Sequence, residues 1–360
     1  MKKIYYIAVV FAILFLAGCG DGIDLPGVNV ETDLNKIPLP DNNVNLEQVE
    51  LKPSTEPMLH EGLHTEEDFQ RIRDKKAAGE EPWVSAYQLL VESQFSQKTA
   101  DTYPTEWIKR GVSGDENYMN AARGATIAYQ QALRWKIEQD DEYAAKAVEN
   151  LNKWVQTCVG VTGNTNLSLA AGLYGYEFAI AGELLRDYEG WDRADFAAFQ
   201  NWLLKVFYPA NDDFLKRHHD TNALHYWANW CLCNIAAKMA IGIVTDRRDI
   251  YNEGIGHLQT GDTNGRLRRA IYHDYAPDYN FAQWQESGRD QGHTLMCVGL
   301  MGVICQLAWS QGDDFFAYDD NLFMRACEYA ACCNYTNETV PYTTYIWQKQ
   351  SQWGYPIPEE

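Results

Sequence analysis

Apolar residues recur along most of this chain at spacings of three and four, and almost nowhere at a spacing of two. Ala144, Val148, Leu151 and Val155 step by four, three and four; Phe196, Phe199, Leu203 and Val206 step by three, four and three. Such stripes bury one face of an α-helix. Longer helical patterns cover 117–138, 167–188, 222–244, 287–310 and 319–333. Thr65 stands where an N-cap belongs, ahead of Glu66, Glu67 and Asp68, whose charge suits the start of a helix dipole. Pro82 fits the first turn of a following helix. Successive helices without strands can bury their stripes only against one another, as a bundle, a solenoid or a ring of hairpins. No exact repeat of the kind that builds helical arrays is present. The expectation is an all-α fold: an α/α toroid, an incomplete barrel of helical hairpins with loops gathered around a central cleft.

The N-terminus reads as a targeting segment. Met1-Lys2-Lys3 is followed by an apolar run from Ile4 to Ala17 and then by Gly18-Cys19. A charged start, a short apolar stretch and small residues before a cut form the signal-peptide pattern, and the run is short for a membrane-spanning helix. Small residues directly before a cysteine resemble the bacterial lipobox. That resemblance implies acylation of Cys19 and a lipid anchor in the cell envelope, on the periplasmic or the outer side of the outer membrane. Residues 20–57 carry Gly, Pro, Asn and acidic residues without apolar periodicity and read as a flexible tether. Residues 58–345 are then the folded domain, and 346–360 a C-terminal tail that looks truncated.

The formal net charge is −20. Phosphate binding needs a basic face, so nucleic acid is excluded as a partner. The 12 Trp and 22 Tyr suit the apolar faces of sugar rings, and suit a large helical core equally well. Nine cysteines, among them Cys231, Cys233, Cys332 and Cys333, show no zinc spacing; Cys297, Cys305 and Cys327 sit in apolar helical stretches. Neither a metal nor a cofactor is expected.

Two segments carry polar groups into these apolar patterns. In the first, Asn222, His225, Tyr226 and Asn229 fall at i, i+3, i+4 and i+7, one face of a helix if the pattern starts at 222. In the second, Glu286, Arg289 and His293 fall at i, i+3 and i+7, with Asp290 beside them, if the helix begins near Glu286. Buried polar groups must be satisfied by one another or face a cavity, so each set is either a core network or a site. Arg217-His218-His219-Asp220 reads as a solvated turn. Arg266, Arg268 and Arg269 form a basic run that either meets an anionic polymer or is simply solvated.

These two segments, together with His60-Glu61-Gly62-Leu63-His64-Thr65-Glu66-Glu67-Asp68-Phe69, resemble the alginate-lyase group of polysaccharide lyases. The most specific stretch is Trp284-Gln285-Glu286-Ser287-Gly288-Arg289-Asp290-Gln291-Gly292-His293. The resemblance implies an α/α toroid that cleaves alginate- or glucuronan-type polymers by β-elimination. Such chemistry removes a weakly acidic C5 proton, so donors must neutralise the C6 carboxylate while a base takes the proton and an acid protonates the departing O4. Carried over, Asn222 with His225 resembles the group's Asn–His carboxylate pair, Tyr226-Trp227 its Tyr-Trp, and Arg289 its arginine. Two departures stand out. The Asn and His are three residues apart rather than adjacent. The His-Tyr-His that follows the arginine in familiar members is here Gln291-Gly292-His293-Thr294. The base then falls to His293 or Tyr226, with Tyr174, Tyr176 and Tyr279 in reserve. Trp227, Trp284, Gln285, Glu286, Gln291, Tyr174 and Tyr176 are expected to bind substrate.

Two other activities compete with this reading. A glycoside hydrolase needs two carboxylates roughly 5–10 Å apart across the bond, and Glu286 and Asp290 lie too close in sequence to flank one. A non-catalytic glycan-binding lipoprotein would need the aromatics but not the Asn, His and Arg sets.

Overall fold

A computed structural model describes residues 54–335, 339–345, 349–350 and 356–357. The targeting segment with Cys19, the tether through residue 53 and most of the expected tail lie outside the described residues. The first elements are α1 (Glu66–Ala77), α2 (Trp83–Glu92), β1 (Trp107–Arg110), α3 (Tyr118–Glu138), α4 (Asp141–Thr157) and β2 (Gly160–Gly163). They are followed by α5 (Leu167–Leu184), α6 (Arg193–Val206), α7 (Tyr208–Arg217), α8 (Ala228–Val244), α9 (Arg248–Thr260) and the short α10 (Leu267–Ala270). Strands β3 (Ile271–Asp274) and β4 (Ala282–Trp284) then precede α11 (Gln291–Ser310) and α12 (Tyr318–Tyr335).

Local chemistry accounts for the helix limits. Thr65 caps α1 in a full capping box: its hydroxyl accepts from the Asp68 amide, and the Asp68 carboxylate accepts from the Thr65 amide. The stripe Phe196, Phe199, Leu203 and Val206 is buried along α6. In α4, Ala144, Val148 and Leu151 are buried while Val155 packs half-buried at the rim of the core.

Helices α3, α5, α8 and α11 form an inner layer, and all start at the same end. Tyr118, the first residue of α3, stacks on Tyr174 of α5, and Tyr129 further along α3 lies beside Tyr176 and Glu177. Ser168 at the start of α5 accepts from Asn234 of α8 at 3.2 Å. Arg186, just past α5, donates to Ile243 and Val244 at the end of α8. Asn229 of α8 touches Met296 of α11. Burial matches this placement: every residue of α8 except Trp230 is buried, as expected of a helix surrounded by protein.

The structure departs from the sequence expectations in two places that matter. Residues 221–227 form turns, and α8 begins only at Ala228, so Asn222, His225 and Tyr226 do not share a helical face with Asn229. Asn222 closes these turns itself, its carboxamide oxygen accepting from the Leu224 amide at 2.9 Å and its carbonyl from the His225 amide. Likewise α11 begins at Gln291, not near Glu286, which has a left-handed φ of 63° in the turn before it. The fold is also not purely helical. Parallel β1–β2 and antiparallel β3–β4 are two short pairs at the helix starts.

Candidate active site

The two polar segments meet where α8 and α11 begin. Gln285 joins them. Its side-chain oxygen accepts from the Ala228 amide at 3.1 Å, capping α8, and its side-chain nitrogen donates to Asn264 Oδ1 and to the Arg269 carbonyl. Asn264 in turn donates to the carbonyls of Leu224 and Tyr226 at 3.1 and 2.8 Å. One buried carboxamide pair therefore fixes the 222–227 turns against the 285–290 turn.

On this frame the Arg289 guanidinium lies 4.8 Å over the Trp227 ring and donates to Glu286 at 2.7 Å. His293, in the first turn of α11, stands with Nδ1 3.0 Å from both Glu286 and Asp290. The hydrogen bond and charge of Glu286, with the charge of Asp290, raise the His293 pKa against the opposing effects of burial and Arg289. The imidazolium is favoured even though it sits at a helix N-terminus, where the dipole disfavours a cation. With both carboxylates on one imidazole nitrogen, no sugar ring passes between them.

Tyr226 is packed among Phe214, His219, His225 and Trp230. Burial raises its pKa, and a hydrogen bond with Thr165 pulls it back. The 217–220 stretch is the expected turn, but it is packed rather than solvated on its histidine side. His218 is buried against Cys231, and His219 Nε2 lies 2.9 Å from Ser168 Oγ at the start of α5. Burial, with the neighbouring histidines, lowers the His218 pKa to about 4.

Several expected substrate contacts are corrected. Trp284 is 0% exposed and donates to the Ala326 carbonyl, and Gln285 is 1% exposed and fully used in the frame. Tyr176 is 4% exposed beside Glu177, inside the helix layer. All three are buried within the fold. Gln291 is bonded to Ser287 and Asn334 at the start of α11. Glu286 is buried and supports Arg289 and His293 rather than facing outward. Of the basic run, Arg268 pairs with Asp274 and Asp319, tying β3 to α12. Tyr174 is buried as well, in the hydrophobic core, with its ring stacked on Tyr118.

Two contributors had no signal in sequence. Asn264 sits in a loop without a motif. Tyr345 reaches the site from residues 339–345, which run along β3–β4. Tyr329 donates to the Pro341 carbonyl, Tyr272 donates to the Thr343 carbonyl, and the Thr343 amide donates to Gln283. The Tyr345 ring then packs 5.2 Å from Trp227 and 4.9 Å from Tyr272. Burial first, then the Glu286 charge, pushes its phenol pKa up.

No curated protein sequence matches the chain. Among solved structures, alginate lyase A1-III from Sphingomonas species A1 matches with TM-score 0.53 and 13% identity over 76% of this chain and 78% of that one. A histidine-to-alanine variant of alginate lyase A1-III in complex with a tetrasaccharide matches with TM-score 0.59 and 14% identity, over 78% and 82%. An alginate lyase from Bacteroides ovatus matches with TM-score 0.52 and 14% identity, over 75% and 82%. These identities speak for the fold, an α/α toroid. The alginate lyase family profile matches residues 72–338. That span holds the helices of the inner layer and both polar segments, and the chain therefore belongs to the alginate lyase family, a family of polysaccharide lyases.

Proposed function

We propose that this polysaccharide lyase cleaves alginate- or glucuronan-type polymers, with the residues at the starts of α8 and α11 as its catalytic set. The observation that carries this reading is the junction itself: Trp227 and Arg289, from the two segments, stack on each other above a shared buried frame. Arg289, with Asn222 and His225 from the turns before α8, neutralises the C6 carboxylate as charge builds on it. Tyr226 takes the C5 proton, the C4–O4 bond breaks, and a C4–C5 double bond forms. The raised pKa of His293 suits a proton donor to O4 better than a base. Tyr345 is another phenol at this place. Of Tyr226→Phe and Tyr345→Phe, the variant that loses elimination while still binding oligosaccharide identifies the base. Solved alginate lyase A1-III complexes with a tetrasaccharide include both a histidine-to-alanine and a tyrosine-to-phenylalanine variant, which supports a saccharide ligand and the attention to these residue types.

The test is incubation with alginate and glucuronan while following the ultraviolet absorbance of the new double bond. Absorbance growth is expected. Arg289→Ala and His225→Ala should each lower kcat/KM by about 100-fold or more with the fold intact by circular dichroism. New reducing ends without absorbance would identify a hydrolase, and near-normal rates in both variants would remove these residues from the mechanism.

A further inference from the structure

Among the described residues of this acidic chain, four arginines are buried: Arg110, Arg134, Arg186 and Arg325. Three hold carboxylates. Arg134 pairs with Glu138, Arg186 with Glu183 and Asp246, and Arg325 with Asp274 and Asp320. Arg110 is different. It is 9% exposed, its Nη1 is buried without a hydrogen-bond partner, and no carboxylate among the described residues lies within ion-pair distance. What it has is an aromatic support: its guanidinium lies 4.7 Å over the Tyr118 ring, which stacks nearly parallel (11°) on Tyr174 at 6.4 Å. Burying a cation without a counter-charge is costly, and a stacked guanidinium is already aligned for two parallel bonds to a carboxylate.

The backbone around Arg110 is built to hold it there. Arg110 ends β1 opposite Gly163 of β2. Gly163 has φ 144°, and a Cβ on it would come within 1.7 Å of the Arg110 carbonyl oxygen, so only glycine allows this approach. The location is the functional end of the toroid. Tyr118 opens α3, and β2 leads into α5, whose approach carries Thr165 against Tyr226 and whose first turn carries Ser168 against His219.

We propose that Arg110, backed by Tyr118 and Tyr174, is a distal carboxylate subsite that binds a uronate residue of the polymer other than the one being cleaved. This rests on the lyase reading above and adds a chain-length determinant to it. The charge that the buried guanidinium lacks in the free protein comes from the substrate.

The test compares wild type, Arg110→Met and Arg110→Lys on alginate oligomers of graded length and on hexamers with their carboxylates methyl-esterified. Arg110→Met should raise KM for long oligomers by about 10-fold, keep kcat within about 2-fold, and have little effect on the shortest oligomer cleaved. Arg110→Lys should fall between, because it keeps the charge but not the planar fork. Tyr118→Ala removes the support and should shift KM the same way, which keeps the proposal testable if Arg110→Met does not fold. On esterified hexamer the difference between wild type and variants should vanish. An unchanged KM in the variants, or an equal loss on short and long oligomers, overturns the subsite. If wild type shows no elimination at all, calorimetric binding of alginate hexamer separates the two ideas: Arg110-dependent binding keeps the subsite while the lyase reading fails.

Discussion

His293 shows how its neighbours set what a side chain can do. A histidine at the start of a helix would ordinarily be kept neutral by the dipole, yet Glu286 and Asp290 both lie 3.0 Å from its Nδ1 and raise its pKa. The protonated state therefore persists to higher pH than in an ordinary histidine. If His293 works as the acid, kcat/KM should fall on the alkaline side as pH rises through that raised value. Glu286→Gln keeps an acceptor for Arg289 but removes the larger cause of the shift, so the alkaline limb should move to lower pH. A pH–rate profile checks this, and an unmoved limb would mean that another group sets it. The linked stability has the same sign. The pair's contribution is fully present below the ordinary histidine pKa and is lost as pH rises through the raised one. At this scale the sequence exposed the residue types. The pairing Glu286–Arg289–His293 was legible because all three lie within eight positions. Tyr345 and Asn264 were not, since their partners are distant in the chain.

The elements were the most legible level. Apolar stripes located the helices, and the capping box at Thr65 marked the start of α1. The starts of α8 and α11 were misjudged by six and five residues, because periodicity cannot tell a helix from turns that carry apolar residues at compatible positions. In the fold both starts are fixed from outside the helix. Asn222 closes its own turn, Asp290 caps α11 through the His293 amide, and Gln285 caps α8 from across the junction. Gln285→Ala should therefore leave the Ala228 amide, Asn264 Oδ1 and the Arg269 carbonyl without partners. The expected loss is about 2–4 kcal/mol of stability, readable as a lower denaturation midpoint, together with a fall in activity greater than the loss of folded protein explains. A variant of wild-type stability would show that water replaces the carboxamide and that the frame does not depend on it.

For the whole molecule the open physical question is how a chain of net charge −20 attracts an anionic polymer. The inner helices α3, α5, α8 and α11 all begin at one end, so the positive ends of their dipoles converge there. Arg289 and Arg110 are at the same end. The local field is then opposite in sign to the distant one, and salt distinguishes them. If local attraction dominates, KM for polymer should rise between low and moderate ionic strength. If long-range repulsion dominates, KM should fall as salt screens it over about 8–10 Å. Initial rates across a salt series read the sign directly.

The sequence by itself determined the helical class, the residue types at the site and their resemblance to alginate lyases, because periodicity and short motifs are local. Tertiary structure alone decided which of those residues face outward. Trp284, Gln285 and Tyr176 look like ligand-binding residues in the sequence and are buried supports in the fold. It also decided that, among the described residues, Arg110 lacks the carboxylate that the other buried arginines have. Burial and pairing depend on what the rest of the chain brings alongside, and a linear pattern does not contain that information.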